Sequence, residues 1–251
     1  MKAGFRVYDT HTHIGTARHS GRVISADELL ARMDAAGVDR AMVIPWPVVE
    51  DHRAAHDEIG RAVRAHGDRL AGAACLDPFI PEAAFRDEVL RCVELYCFRA
   101  LKLQPQYQGL NPLSPRGDFL YETALEHRLA VIVHTGAGAP LALPSLYMMP
   151  ARRFPELPLV LGHAGGGLYA AEAIVAASFC SNIYIELSSL MPHHVLEVLA
   201  HVPSTRLMIG SDLPASVETE MSKIIGLEIP DQQKWDILWN TAARLFDGEQ
   251  A

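Results

Sequence analysis

The nine residues VYDTHTHIG, at positions 7–15, decide how the rest of the chain is read. They open as an apolar, β-type run and end on two histidines one residue apart, His11 and His13. Side chains two apart on a strand point to the same face, with Cα atoms about 6.6 Å apart. Seven further runs of this kind follow: RAMVIP (40–45), LAGAACL (70–76), RALKLQP (99–105), LAVIVH (129–134), LPLVLGH (157–163), NIYIELS (182–188) and TRLMIGSD (205–212). Their C-terminal ends fall near 13, 45, 76, 104, 134, 163, 187 and 212, so each step is 24 to 32 residues. Such a step holds one strand, one helix and two turns.

Helical patterning fills the intervals. SADELLARMDAAG (25–37) carries a capping-box pair, Ser25 and Glu28, and a closing Gly37. Strand–helix alternation eight times over predicts an α/β fold with a parallel sheet. Eight units occupy the whole of 1–251, which leaves no room for a second domain. A single (β/α)₈ TIM barrel fits best, with an open doubly wound sheet as the alternative.

Composition sets limits on partners. The apolar fraction is 49% and the charged fraction 21%, an ordinary globular balance. A net charge of −8 without a basic face argues against nucleic acid and against an anionic membrane surface. No apolar run approaches the roughly 18 residues of a membrane span. The four cysteines show neither paired nor metal-type spacing, and the N-terminus lacks a signal pattern. These features predict reduced cysteines and a cytoplasmic protein.

In a barrel of this kind, reactive groups gather at the C-terminal ends of the strands. There the sequence places His11 and His13, then Lys102 with Gln104, His134, His163, Glu186 with Ser188, and Asp212. Two co-facial imidazoles can converge on one ion with bonds of about 2.1 Å. His134 and Asp212 would complete a set of three histidines and a carboxylate. That donor set suits zinc first, with manganese or iron as alternatives. One HxH alone, one strand-ending histidine or one GSD turn would each be unremarkable; the phased convergence of all of them predicts a divalent-metal site. His52, His56, His66 and His127 fall on predicted surface helices and need no such role.

Together these motifs resemble the amidohydrolase superfamily, most closely its amidohydrolase-2 branch. The resemblance runs from DTHTHIG through LKLQP, VIVHTG, VLGHAGG and IGSDLP to ILWNTAARLF (237–246). It implies a barrel with one divalent metal, His11, His13 and His134 as ligands, and Asp212 as ligand, general base or both. It implies that His163 hydrogen-bonds the reacting water or substrate. Many relatives read KLHP where this chain reads KLQP, so Gln104 carries no histidine role. Lys102 is read as an unmodified structural or substrate-binding lysine, not as the carbamylated bridge of two-metal relatives. The resemblance also implies a homodimer.

The expected chemistry is hydrolysis of an amide, ester or lactone in a small molecule. A bound ion would acidify the attacking water, Asp212 would move its proton, and His163 would help stabilise the oxyanion. Glycines 136, 138 and 165–167 leave space over the strand ends. A carboxylated substrate would then meet Lys102 or Arg116, with Gln104 as a further substrate-binding candidate. Non-oxidative decarboxylation of a small aromatic or unsaturated acid is the alternative. An inactive barrel serving as a binding protein ranks last, because no candidate ligand is missing.

Overall fold

A computed structural model describes residues 1–248. All eight expected strands form, and a short ninth joins them. They are β1 (Tyr8–Thr16), β2 (Val23–Ile24), β3 (Arg40–Pro45), β4 (Leu70–Ala74), β5 (Ala100–Leu103), β6 (Ala130–His134), β7 (Leu159–Gly162), β8 (Ile183–Glu186) and β9 (Leu207–Met208). Strand order in the sheet is β2-β1-β3-β4-β5-β6-β7-β8-β9. β2 pairs antiparallel with the end of β1, and every other pair is parallel.

The sheet curls so that its last strand returns to its first. Among the described residues no ladder joins β9 to β1, which departs from the closed ladder expected of the sequence. The reason is local. Pairing stops after Met208, and the next residues turn at Gly210–Asp212. The seam is held instead by single bonds: Thr10 N and Thr10 Oγ1 both donate to Ile209 O (2.9 and 2.8 Å), and Asp212 N donates to His11 O (2.7 Å).

Helices connect the parallel strands, among them α1 (Ala26–Ala36), α2 (His52–Ala65) and α3 (Glu82–Tyr96). Ser25 caps α1 as the sequence predicts, its hydroxyl accepting from Glu28 N at 3.1 Å, and Gly37 closes it in the left-handed region. The main core lies between the sheet and these helices. A second, smaller core fills the inside of the curl from Tyr8, Met42, Ile44, Ile132, Val160 and Met208. The C-terminal helix plugs this end with Trp239 and Phe246, running from Asp231 through two π-helical turns to Asp247. Polar side chains are thereby left to the opposite end, where the strands stop. Among the described residues no helix is long and apolar enough to cross a membrane.

One correction to the sequence reading concerns His56. It was assigned to a surface face, yet it is fully buried. Its Nδ1 donates to Glu88 Oε1 at 2.8 Å, and Cys75 N donates to its Nε2 at 3.0 Å. The partners come from α3 and the end of β4, so the pattern within α2 could not reveal them.

A candidate metal centre at the strand ends

A one-residue bulge sets up the site. β1 pairs with β3 in register at Asp9 opposite Ala41, then resumes at Thr12 opposite Val43. Three steps on β1 therefore match two on β3, which turns the strand's facing over. Tyr8 points into the lower interior core, and two odd-numbered residues, His11 and His13, point inward above it. Thr10 and Thr12 hold the bulge through their hydroxyls, to Ile209 O and Met42 O (both 2.8 Å). On β5, Ala100 and Lys102 share the inward face; on β6, Ala130, Ile132 and His134 do.

The two leading histidines are fixed by bonds on their far nitrogens. His11 Nδ1 donates to Glu186 Oε2 (3.1 Å), and His13 Nδ1 donates to Ile44 O (2.9 Å). Each ring turns its Nε2 to the cavity, where that of His11 accepts from Lys102 Nζ at 2.9 Å. Both Nε2 atoms face Asp212 Oδ1, at 3.7 Å from His11 and 3.3 Å from His13. Nitrogen lone pairs gather around a carboxylate oxygen only with positive charge among them, and the Lys102 ammonium bonded to His11 supplies one such charge. His11 adds none, because burial, reinforced by the Lys102 charge, holds it neutral with a pKa well below the usual histidine range. At Asp212, burial pushes the carboxyl up, but the His13, His11 and His163 rings around it outweigh burial and hold it well below the usual carboxylate range, so the group stays ionised. A neutral His11 imidazole and an ionised Asp212 carboxylate are in the protonation states that a divalent cation requires. The donors of His11, His13 and Asp212 lie within 4.8 Å of one another. These residues fit a metal.

Other predicted residues take distinct places. Lys102 is fully buried and donates from Nζ to His11 Nε2 at 2.9 Å; burial lowers its pKa to about 8. His134 lines the same cavity, with its ring 4.8 Å from that of His163. Its Nε2 donates to Ala137 O (2.8 Å), and burial lowers its pKa to about 4. His163 stacks on His11 at 4.7 Å. Gln104 lines the cavity. Arg116 is not brought there: it binds the carbonyls of Pro78 and Ile80 and the carboxylate of Glu82.

The cavity has a volume of about 230 Å³. Sequence reasoning missed its walls. Trp46 stacks on His13 at 4.4 Å and 15°, and its indole N–H bonds to Gly15 O. Tyr107, His19 and Arg22 line the mouth. All four lie outside the strands, where periodicity gives no signal. Left-handed backbone at His163, Ala164, Ser189 and Asp212 (φ 65°, 45°, 62° and 63°) concentrates strain around the same cavity. A separate cluster of His56, Glu88 and Cys92 sits between α2 and α3. There Arg91 already pairs with Glu88, at 2.8 Å from Nε, so that cluster is structural.

The fold agrees with the comparison to known proteins. The profile of the Amidohydrolase family (Amidohydro_2) matches residues 8–248, and the chain belongs to that family. Among solved structures, it is similar to 5-carboxyvanillate decarboxylase from Novosphingobium aromaticivorans, determined with manganese and 4-hydroxy-3-methoxy-5-nitrobenzoic acid. The two are 16% identical with a TM-score of 0.81, over 97% of this chain and 96% of that one. A 2,6-dihydroxybenzoate decarboxylase in complex with 2,6-dihydroxybenzoate is 17% identical (TM-score 0.74; 98% and 99% covered). A probable 2-pyrone-4,6-dicarboxylic acid hydrolase from Acinetobacter baumannii, with citric acid bound, is 14% identical (TM-score 0.71; 97% and 100% covered). No curated protein matches the chain.

Proposed function

We propose that this chain is a divalent-metal-dependent, non-oxidative decarboxylase of a small hydroxylated aromatic acid, built on a (β/α)₈ barrel whose seam is closed by the Thr10 and Asp212 bonds. The observation that carries the metal centre is the convergence of the His11 and His13 Nε2 atoms on Asp212 Oδ1. His134 is the proposed third histidine. Zinc suits the nitrogen-rich donors, and manganese is the ion of one relative. Decarboxylation is favoured over the hydrolysis expected from sequence because two of the three relatives above are decarboxylases of ring acids. The flat Trp46 face beside His13 suits such a ring.

When bound, the ion would act as a Lewis acid on the oxygens of the substrate. The residues of the chain handle the proton. Net reaction exchanges a carboxylate for a hydrogen: the ring carbon gains a proton, its bond to the carboxyl carbon breaks, and CO₂ leaves. The bonding pair stays with the ring. Asp212 is ionised and reaches the cavity with a third of its side chain exposed. It accepts a proton from a ring hydroxyl or from water and returns one to the carbon, a general acid–base role. Trp46 packs against the ring and keeps water from that face.

Hydrolysis remains the second reading, supported by the pyrone-dicarboxylate relative. A panel of hydroxybenzoic acids and lactones, run with metal-loaded protein in deuterated and ¹⁸O-enriched water, separates the two. Decarboxylation releases CO₂ and places deuterium on the ring. Turnover of a lactone with ¹⁸O in the new carboxyl group, and no CO₂ from any acid, overturns the proposal.

A further inference from the structure

Glu186 sits under the site on β8, fully buried, and receives four donors. Its Oε2 accepts His11 Nδ1 at 3.1 Å, the His163 backbone N–H at 3.1 Å and the Ser188 hydroxyl at 2.9 Å. Its Oε1 accepts the Ser188 backbone N–H at 2.5 Å. A serine hydroxyl has one proton to donate. Here it goes to the carboxylate, which can only accept. Ser188 Oγ also lies 2.7 Å from His163 Nδ1. In that contact the oxygen must be the acceptor, so Nδ1 carries the hydrogen.

We propose that Ser188 and Glu186 are positioning residues that lock His163 in its Nδ1–H tautomer and present a bare Nε2 to the cavity. One carboxylate oxygen then sets both stacked rings, since the same Oε2 fixes His11 as Nδ1–H. The left-handed backbone of His163 turns its amide N–H onto the same carboxylate, so strain, tautomer and ring direction share one anchor.

The consequence reverses the role expected from sequence. A neutral ring with a bare Nε2 cannot donate to an oxyanion; it accepts. Resting on the proposed reaction, His163 therefore takes a hydrogen bond from a hydroxyl of the substrate or from water, and orients that group toward Asp212.

Long-range ¹H–¹⁵N correlation spectra of the zinc-loaded, full-length protein at neutral pH test this directly, with His163 assigned by its loss in His163→Gln. The expected spectrum has a pyrrole-type Nδ1 and a pyridine-type Nε2. In Ser188→Ala the Nε2–H form should gain population; in Ser188→Thr, which keeps the hydroxyl, it should not. With an active substrate, Ser188→Ala should lower kcat about tenfold or more with little change in KM, the sign of a lost transition-state interaction. A wild-type Nε2–H tautomer, or a Ser188→Ala tautomer identical to wild type in folded protein, overturns the proposal. The spectra need no substrate, so such a result would leave the decarboxylase reading standing. Absence of CO₂ release would sink that reading and leave the tautomer assignment intact.

Discussion

Glu186→Gln is the substitution whose effect follows most directly from the geometry. The side chain keeps its shape but exchanges one acceptor oxygen for an NH₂ donor. If the amide oxygen takes the place of Oε2, the NH₂ faces the Ser188 backbone N–H at 2.5 Å, donor against donor. In the flipped state it faces three donors: His11 Nδ1, His163 N and Ser188 Oγ. Every rotamer that fits leaves at least one buried donor unpaired, at a cost of about 1–3 kcal/mol. The first orientation is the better one, and it still replaces a charged acceptor behind His11 by a neutral one. Loss of such an outer partner weakens metal affinity by about 10- to 100-fold, or roughly 1.4–2.8 kcal/mol. Competition for zinc against a chromophoric chelator reads the affinity, and urea unfolding of metal-free protein reads the stability. Zinc affinity within twofold of wild type, in a variant that unfolds at the same urea concentration, would refute the reasoning.

Further outcomes follow from the rest of the structure. Lys102, a base whose pKa is lowered from 10.5 to about 8 by burial, is less protonated in the folded than in the unfolded chain between those values. Stability of metal-free wild type should therefore rise from pH 8 to 10.5 relative to Lys102→Met, by at most about 3 kcal/mol; parallel urea profiles for the two would contradict this. Gly72→Ala would place a methyl 2.4 Å from the Phe98 ring, so a loss of about 1–3 kcal/mol is expected, with Phe98→Leu recovering part of it in the double variant. Zinc content should not change, because Phe98 packs outside the sheet with Tyr96 and His56; a metal loss would show that the outer core sets the site. Asp212→Asn keeps an oxygen at the site but cannot accept a proton, so its kcat should fall far more than its substrate affinity. Equal falls in both would assign Asp212 to binding alone.

What the sequence revealed and what it hid divide along physical lines. The period-2 rule showed that His11 and His13 share a face, and the regular strand spacing placed His134, His163 and Asp212 beside them. It did not show which face. Counting from Tyr8 would have put Thr10 and Thr12 inward, and only the bulge between Asp9 and Thr12 reverses this. Glu186 and Ser188 were visible as polar residues ending a strand, but their roles depend on bonds to His11 and His163, 175 and 25 residues away. Arg116 was drawn toward the site by its charge, whereas the 78–82 loop claims all of its nitrogens. Trp46 gave no periodic signal, because its position depends on a loop packing over His13. The hydrolase expectation rests on the donor set alone, and solved structures of this fold include both decarboxylases and a probable hydrolase, so the donors do not single out one reaction.

His11, His13 and Asp212 are proposed to hold a divalent ion. Elemental analysis of zinc-loaded, extensively dialysed protein tests it most directly, with His13→Ala and Asp212→Ala measured alongside. About one ion per chain is expected in wild type, with loss of most of it in either variant. Wild-type protein that retains no zinc or manganese, or variants that retain as much as wild type, would contradict it.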